Sequence, residues 1–267
     1  GLDWLCSLII KNYGDLNHKI NFVQNLRSSE DYIYKHVLNV AILSAIIAGQ
    51  MGFSVGRINL LVKSAILHDI GALKLPQLLD AEDLDDDTKE VVKKNTQETL
   101  ARYGDLDEEV PRLIAQMQEL YTSESDAEIP AALKESVNAN ILYVADAYDR
   151  MTAMKSFEEP TSEVKAVREL LADEERYNKK IVNALIHGIS ILYPGVCVEL
   201  TNGEKGLVVT ENEDNIFEPI VLDFRNNNLY DLSDPSVKQT VEIADVMKTM
   251  DNRIKLDKNL LEEYQAN

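Results

Sequence analysis

Ser64-Ala-Ile-Leu-His-Asp-Ile-Gly71 closes an apolar helix on a histidine and a carboxylate, with a glycine following at once. Upstream, Leu60, Leu61, Ser64, Ala65 and Leu67 recur at helical spacing, so the helix has one buried face. Gly71 is a natural stop for it. A His and an Asp at a helix C-terminus offer an imidazole nitrogen and a carboxylate oxygen to one metal. Alone, the pair is weak, because a buried His bonded to a carboxylate is also a sound structural arrangement.

Outward from that run, helical periodicity continues from Asp31 to about Tyr193. Val37, Val40, Ala41, Ser44 and Ile47 lie on a preceding helix, and similar patterns run through Leu106 to Tyr121, Val137 to Met154, Ser162 to Leu171 and Asn178 to Leu192. Gly71 to Pro76, Asp80 to Asp87 and Ser123 to Pro130 break these helices apart. Their brevity favours antiparallel neighbours in one bundle. After Tyr193-Pro-Gly195 the texture alternates: Val196, Val198 and Leu200, a turn at Asn202-Gly203, then Leu207 and Val209, and later Ile220 and Leu222. Asn-Gly between two such runs signals a hairpin. The expected organisation is a mainly α chain. Residues 1–30 form an N-terminal helical segment, 31–193 a helical bundle, 194–232 a small antiparallel β unit and 233–267 an acidic helical tail that docks or stays partly mobile.

Composition narrows the function classes. The net charge is −19, from 46 acidic and 27 basic residues among 267, so the average surface repels nucleic-acid backbones and anionic lipids. An anionic ligand must then find a local cationic pocket. Cys6 and Cys197 are the two cysteines, far apart and in no ligand spacing, as expected of buried thiols in a reducing compartment. No uninterrupted apolar run is long enough to span a membrane. The richest stretch, Val37 to Ile47, is broken by Asn39 and Ser44. No signal-peptide pattern opens the chain at Gly1. A cytoplasmic protein without nucleic-acid or membrane partners is expected.

Two of the four histidines, His36 and His68, stand in informative contexts, while His18 and His187 have none and read as structural. His36 lies on the helix before His68-Asp69, and Asp146 lies on a later one within Tyr143-Val-Ala-Asp-Ala-Tyr-Asp149. Two imidazoles and two carboxylates from three helices could ligate a divalent ion inside a bundle. Tyr34-Lys-His36-Val-Leu-Asn-Val40, Leu67-His-Asp-Ile-Gly71, Leu73-Lys-Leu-Pro76, Val144-Ala-Asp-Ala-Tyr-Asp-Arg-Met-Thr152 and Tyr193-Pro-Gly195 occur in the order and spacing of one family. Over about residues 30 to 225 the chain resembles the HD-GYP proteins, the branch of the HD metal-dependent phosphohydrolases that hydrolyses cyclic dinucleotides, chiefly cyclic di-GMP, in bacterial signalling.

The resemblance implies an HD-domain bundle followed by a β hairpin, with His36, His68, Asp69 and Asp146 as metal ligands and Asp69 also catalytic. It also exposes departures. Ala72 stands where the family has a Lys after His-Asp-Ile-Gly, and Asn95 replaces a further histidine ligand. Met117-Gln-Glu119 replaces a His-His-Glu motif, and Tyr121-Thr-Ser-Glu-Ser-Asp-Ala-Glu-Ile-Pro130 replaces the Gly-Tyr-Pro loop. Three lost imidazoles imply at most one divalent ion, Mn, Fe, Zn or Mg, which would activate a water and polarise a phosphate oxygen. A site of that kind favours a phosphomonoester or nucleotide over a bulky cyclic dinucleotide, so cyclic di-GMP hydrolysis is expected to be impaired or absent.

Alternatives stay open at the residue level. The four ligand candidates also fit a hydrogen-bonded cluster that fixes helix packing without metal. Lys74, Arg150 and Lys155 are candidates to meet a phosphate, and Arg150 and Lys155 also fit solvated surface positions. Asp149 fits an outer acceptor that orients a ligand, or an ordinary helix-surface carboxylate. Two functions follow: a metal-dependent phosphohydrolase acting on a phosphorylated small molecule, or a non-catalytic signalling module that binds a ligand or a signalling protein. An acidic bundle with an apolar face is compatible with a homodimer.

Overall fold

The computed structural model describes residues 1–15, 18–24, 27, 31–75, 86–122, 129–154 and 160–247. Among these the helices are α1 (Leu2–Tyr13), α2 (Tyr32–Gln50), α3 (Val55–Leu67), α4 (Asp86–Leu100), α5 (Glu109–Thr122), α6 (Ala131–Glu135), α7 (Val137–Thr152), α8 (Glu163–Ala172) and α9 (Lys179–Gly188), with a 3-10 turn at Ile70–Lys74 after α3. They are followed by β1 (Cys197–Leu200), β2 (Lys205–Thr210), β3 (Ile220–Asp223), β4 (Leu229–Asp231), α10 (Pro235–Lys238) and β5 (Ile243–Val246). The chain divides into two compact units. One comprises residues 1–161 and 166–189, and the other residues 162–165 and 190–267.

In the first unit α2 and α7 are central. Every residue of α7 from Ala139 to Asp149 is buried, and α2 buries an unbroken run from Leu43 to Ala48. Such helices are apolar nearly all round because α2 packs against α1, α3, α7 and α9. Leu43, Ile46, Ile47, Leu61, Val62, Ile141 and Leu142 are essentially inaccessible to water. Each contributes about 1.5–3 kcal/mol by leaving it. By length and mean hydropathy (1.4) α2 is long and apolar enough to cross a membrane, and 56% of that stretch is buried inside the protein. Asn39 and Ser44, which interrupt its apolar run, are accommodated differently: Ser44 is buried, and the Asn39 amide donates to Asp149 at 2.9 Å.

α3 begins at Ser54, whose hydroxyl accepts from the Arg57 amide. It ends at Leu67, and the 3-10 turn then lies against α4. Tyr121, where the expected helical pattern ends, and Thr122 form the last residues of α5. In the N-terminal segment the helix covers Leu2–Tyr13, after which Ile20 makes a single parallel bridge to Ile189.

The second unit is a five-stranded antiparallel sheet in the order β4-β3-β2-β1-β5. The expected hairpin is β1–β2, in which Cys197 pairs with Leu207 and Val198 with Gly206. Gly203 turns it with φ +81°, a conformation that favours glycine. Val198, Leu200, Val208, Val221, Leu222 and Ile243 are buried. Within the acidic tail Pro235–Lys238 is helical, but Ile243–Val246 is a strand beside β1. Asp245 there accepts from Lys165 at 2.7 Å and from the Ser162 hydroxyl. Residues 248–267 of the tail lie outside the described residues.

Candidate metal centre

Three helices bring side chains to one point inside the bundle. His36 sits one turn into α2, His68 and Asp69 follow α3, and Asp146 lies in the buried stretch of α7. His36 and Asp146 are fully buried, His68 is 3% exposed, and the Asp69 side chain, at 19%, is the one reached from solvent. The Nε2 of His36 lies 2.8 Å from Asp146 Oδ1 and 3.6 Å from Asp69 Oδ2. The Nε2 of His68 lies 3.2 Å and 3.5 Å from the same two oxygens. Ligand atoms of His36, His68 and Asp69 all fall within 4.8 Å of one another.

The outer face of each imidazole is already committed. His36 Nδ1 donates to Asp149 Oδ2 at 2.7 Å, and His68 Nδ1 donates to the Ala65 carbonyl at 2.6 Å. Those bonds turn both Nε2 atoms inward, as outer carboxylates and carbonyls do for metal-bound histidines. The 2.8 Å approach of His36 Nε2 to Asp146 lacks hydrogen-bond geometry, so this buried nitrogen is left without a hydrogen bond. Lone pairs of two imidazoles and two carboxylates facing one another need a cation or protons between them. The donor set fits a divalent ion.

The electrostatics agree with that need. Burial opposes a charge on His68, yet the Asp69 and Asp146 carboxylates raise it to about 9. The same carboxylates that favour a proton on the inward nitrogen would favour a cation there, and an ion must displace any such proton. Burial pushes Asp69 and Asp146 up, but His68, Arg150 and His36 hold Asp69 below the usual carboxylate range, and Arg150 with His36 holds Asp146 well below it. Against burial, the same two carboxylates keep the Arg150 guanidinium firmly charged.

Asp149 is not a surface carboxylate. It is fully buried, forms an ion pair with the equally buried Arg27 at 2.5 Å, and accepts from Gln24 and Asn39 at 2.9 Å each as well as from His36. No periodicity in the sequence marks Gln24 or Arg27. Asn39, three residues after His36 on α2, could have been found as a polar position beside a ligand in an apolar run. Tyr121, read with the loop, donates its hydroxyl to Asp146 Oδ2.

The expected phosphate contacts are placed unequally. Arg150 spans the two carboxylates, with Nε 2.7 Å from Asp146 Oδ2 and Nη2 3.2 Å from Asp69 Oδ2. Lys74 is exposed at the end of the 3-10 turn and makes no ion pair with Asp69 or Asp146 among the described residues. Lys155 lies outside the described residues. Ala72 packs in a small apolar cluster with Ile33 and Val92, and the Gln118 amide donates to the His68 carbonyl at 3.5 Å. His18 and His187 are exposed, and neither joins the centre.

Residues 33–151 match the family model of the HD domain. Over 249 residues, 90% of this chain and 66% of the relative, the chain is 23% identical to the cyclic di-GMP phosphodiesterase PdeB of Borreliella burgdorferi. It thus spans just under two thirds of that relative's length. A solved HDG"Y"P protein from Bdellovibrio bacteriovorus is 20% identical, with a TM-score of 0.48, the match covering 61% of this chain and 53% of that one.

Proposed function

We propose, on the match of residues 33–151 to the family model of the HD domain, that the chain is an HD-type metal-dependent phosphohydrolase of cyclic di-GMP signalling with a reduced centre that holds at most one divalent ion. The observation that carries this reading is the convergence of both Nε2 atoms on Asp69 Oδ2 and Asp146 Oδ1. His36, His68, Asp69 and Asp146 would hold the ion, and Asp149 fixes the His36 ring. When bound, such an ion supplies Lewis acidity toward a phosphate oxygen and lowers the pKa of water. Asp69, the solvent-reached ligand, is assigned to orient the attacking water, and Arg150 at the rim to meet phosphate charge, with Lys74 and Lys155 as further candidates. Similarity to a cyclic di-GMP phosphodiesterase supports that ligand class. The missing imidazoles at Asn95, Met117 and Gln118 and the missing Lys at Ala72 point to impaired or absent cyclic dinucleotide hydrolysis, with a phosphomonoester or nucleotide as the better-suited substrate.

The position of Arg150 favours a second reading. A guanidinium on both carboxylates offsets their charge without metal, as a non-catalytic signalling module that binds a ligand or a protein would need. Elemental analysis of protein purified without chelator separates the two. About one equivalent of transition metal, lost in Asp69→Ala, supports the hydrolase and justifies a substrate screen. No metal in either protein after incubation with manganese, iron or zinc rejects it.

A further inference from the structure

We propose that Arg150 is an internal cation that holds the centre in the metal-free protein and competes with a divalent ion for the Asp69 carboxylate. This rests on the metal-centre reading above and adds to it a residue that sets how readily the centre loads.

The two carboxylates are engaged differently. On Asp146, the oxygen that faces both imidazoles is Oδ1, whereas Arg150 and Tyr121 bind Oδ2. Arg150 therefore leaves the inward oxygen of Asp146 free and orients it. On Asp69, the oxygen that Arg150 Nη2 contacts at 3.2 Å is Oδ2, the one that stands 3.6 and 3.5 Å from the imidazole nitrogens. An ion at the centre of the four ligands would take that same oxygen, to which the guanidinium already donates.

Charge makes the two occupants exclusive. Two adjacent carboxylates with little access to water are costly without a counter-cation, which Arg150 supplies. A divalent ion brought to the same oxygen would meet the guanidinium's positive charge at close range, where screening is weak. Arg150 has somewhere to go, since its side chain is 42% exposed and departs from the exposed side of Asp69. Loading the centre thus frees a cation at its mouth, where an incoming phosphate would meet it.

Calorimetric titration of the full chain with Mn²⁺ tests this, comparing wild type with Arg150→Gln, Arg150→Lys and Asp69→Ala at one pH and ionic strength. Arg150→Gln is expected to bind about tenfold or more tightly than wild type, Arg150→Lys in between, and Asp69→Ala not at all. Binding by Arg150→Gln alone, with none by wild type, supports the proposal most strongly. Equal or weaker binding by Arg150→Gln overturns it, while the metal centre itself stands if wild type binds and Asp69→Ala does not. If neither wild type nor Arg150→Gln binds, both readings fail. Should Arg150→Gln not fold, the Arg150 Nη2–H signal in NMR spectra of the wild type, from the group that contacts Asp69, decides. Loss of its protection from exchange on adding Zn²⁺ supports the proposal, and an unchanged signal with zinc bound sinks it.

Discussion

Asp149 shows how a single side chain joins stability to the centre. It binds His36 on one oxygen and Arg27, Gln24 and Asn39 on the other. Removing it leaves Arg27 charged and buried, and among the described residues Arg27 Nε and Nη1 already lack hydrogen-bond partners. Asp149→Ala is therefore expected to cost about 3–5 kcal/mol in urea unfolding, the range for breaking a buried pair from one side. The pH dependence has a definite sign. Burial raises the Asp149 carboxyl, but the His36 and Arg27 contacts outweigh it and lower it from 3.8 to about 2. A depressed carboxyl stabilises the fold above its unfolded value, so this contribution of about 2 kcal/mol is present above pH 3.8 and disappears as pH falls toward 2. Urea midpoints of wild type and Asp149→Asn across that window check it. The difference between the two proteins should shrink on acidification, and a constant difference contradicts the assignment.

At the scale of elements, the centre depends on how the 3-10 turn after Asp69 meets α4. The Gly71 amide donates to Thr96 Oγ1 at 3.1 Å, and that hydroxyl donates to the Val92 carbonyl at 2.9 Å. A Cβ on Gly71 would stand 2.4 Å from the Thr96 amide nitrogen and from the Val92 carbonyl oxygen, both backbone atoms that cannot turn aside. The glycine in His-Asp-Ile-Gly thus permits a close approach of two backbones as well as a helix stop. Gly71→Ala is expected to destabilise by about 1–3 kcal/mol in thermal or urea unfolding. Because the turn must shift with Asp69 attached, Mn²⁺ affinity should fall in the same variant. Full affinity in a destabilised Gly71→Ala would show that the turn and the ligand are uncoupled.

For the whole molecule, charge is the dominant global property. A net charge of −19 makes the folded chain repel itself, and several of its ion pairs are exposed and individually weak, such as Arg112 with Glu109 and Lys179 with Glu174. Moderate salt should screen the repulsion more than it weakens those pairs, so the thermal midpoint is expected to rise between low and physiological ionic strength. A midpoint that falls over that range would assign more stability to the surface pairs than their exposure allows. On the proposed reading the same acidity makes the local cation at the centre important, because a phosphate approaching through a negative field would need Arg150 to meet it.

Local periodicity and local chemistry were readable from the order of residues. The helical repeat around Leu60 to Leu67, the His-Asp pair that ends it, the alternating strands and the Asn202-Gly203 turn are properties of neighbouring residues, and each is read within a few positions. His36, His68, Asp69 and Asp146 could be singled out on three expected helices as a possible ligand set, and the resemblance strengthened that grouping. Tertiary structure alone decided the partners of the charged groups. Arg150 lies one helical turn after Asp146 and fits a solvated position equally well until α3 brings Asp69 to it. Arg27 and Gln24 come from a stretch of sequence without periodicity, Tyr121 from the end of α5, and β5 from a tail read as helix, and none carries a local pattern that names its distant partner. The physical reason is that a buried charge takes whichever counter-charge packing places beside it, and packing is a property of the assembled helices, not of the order of residues along one.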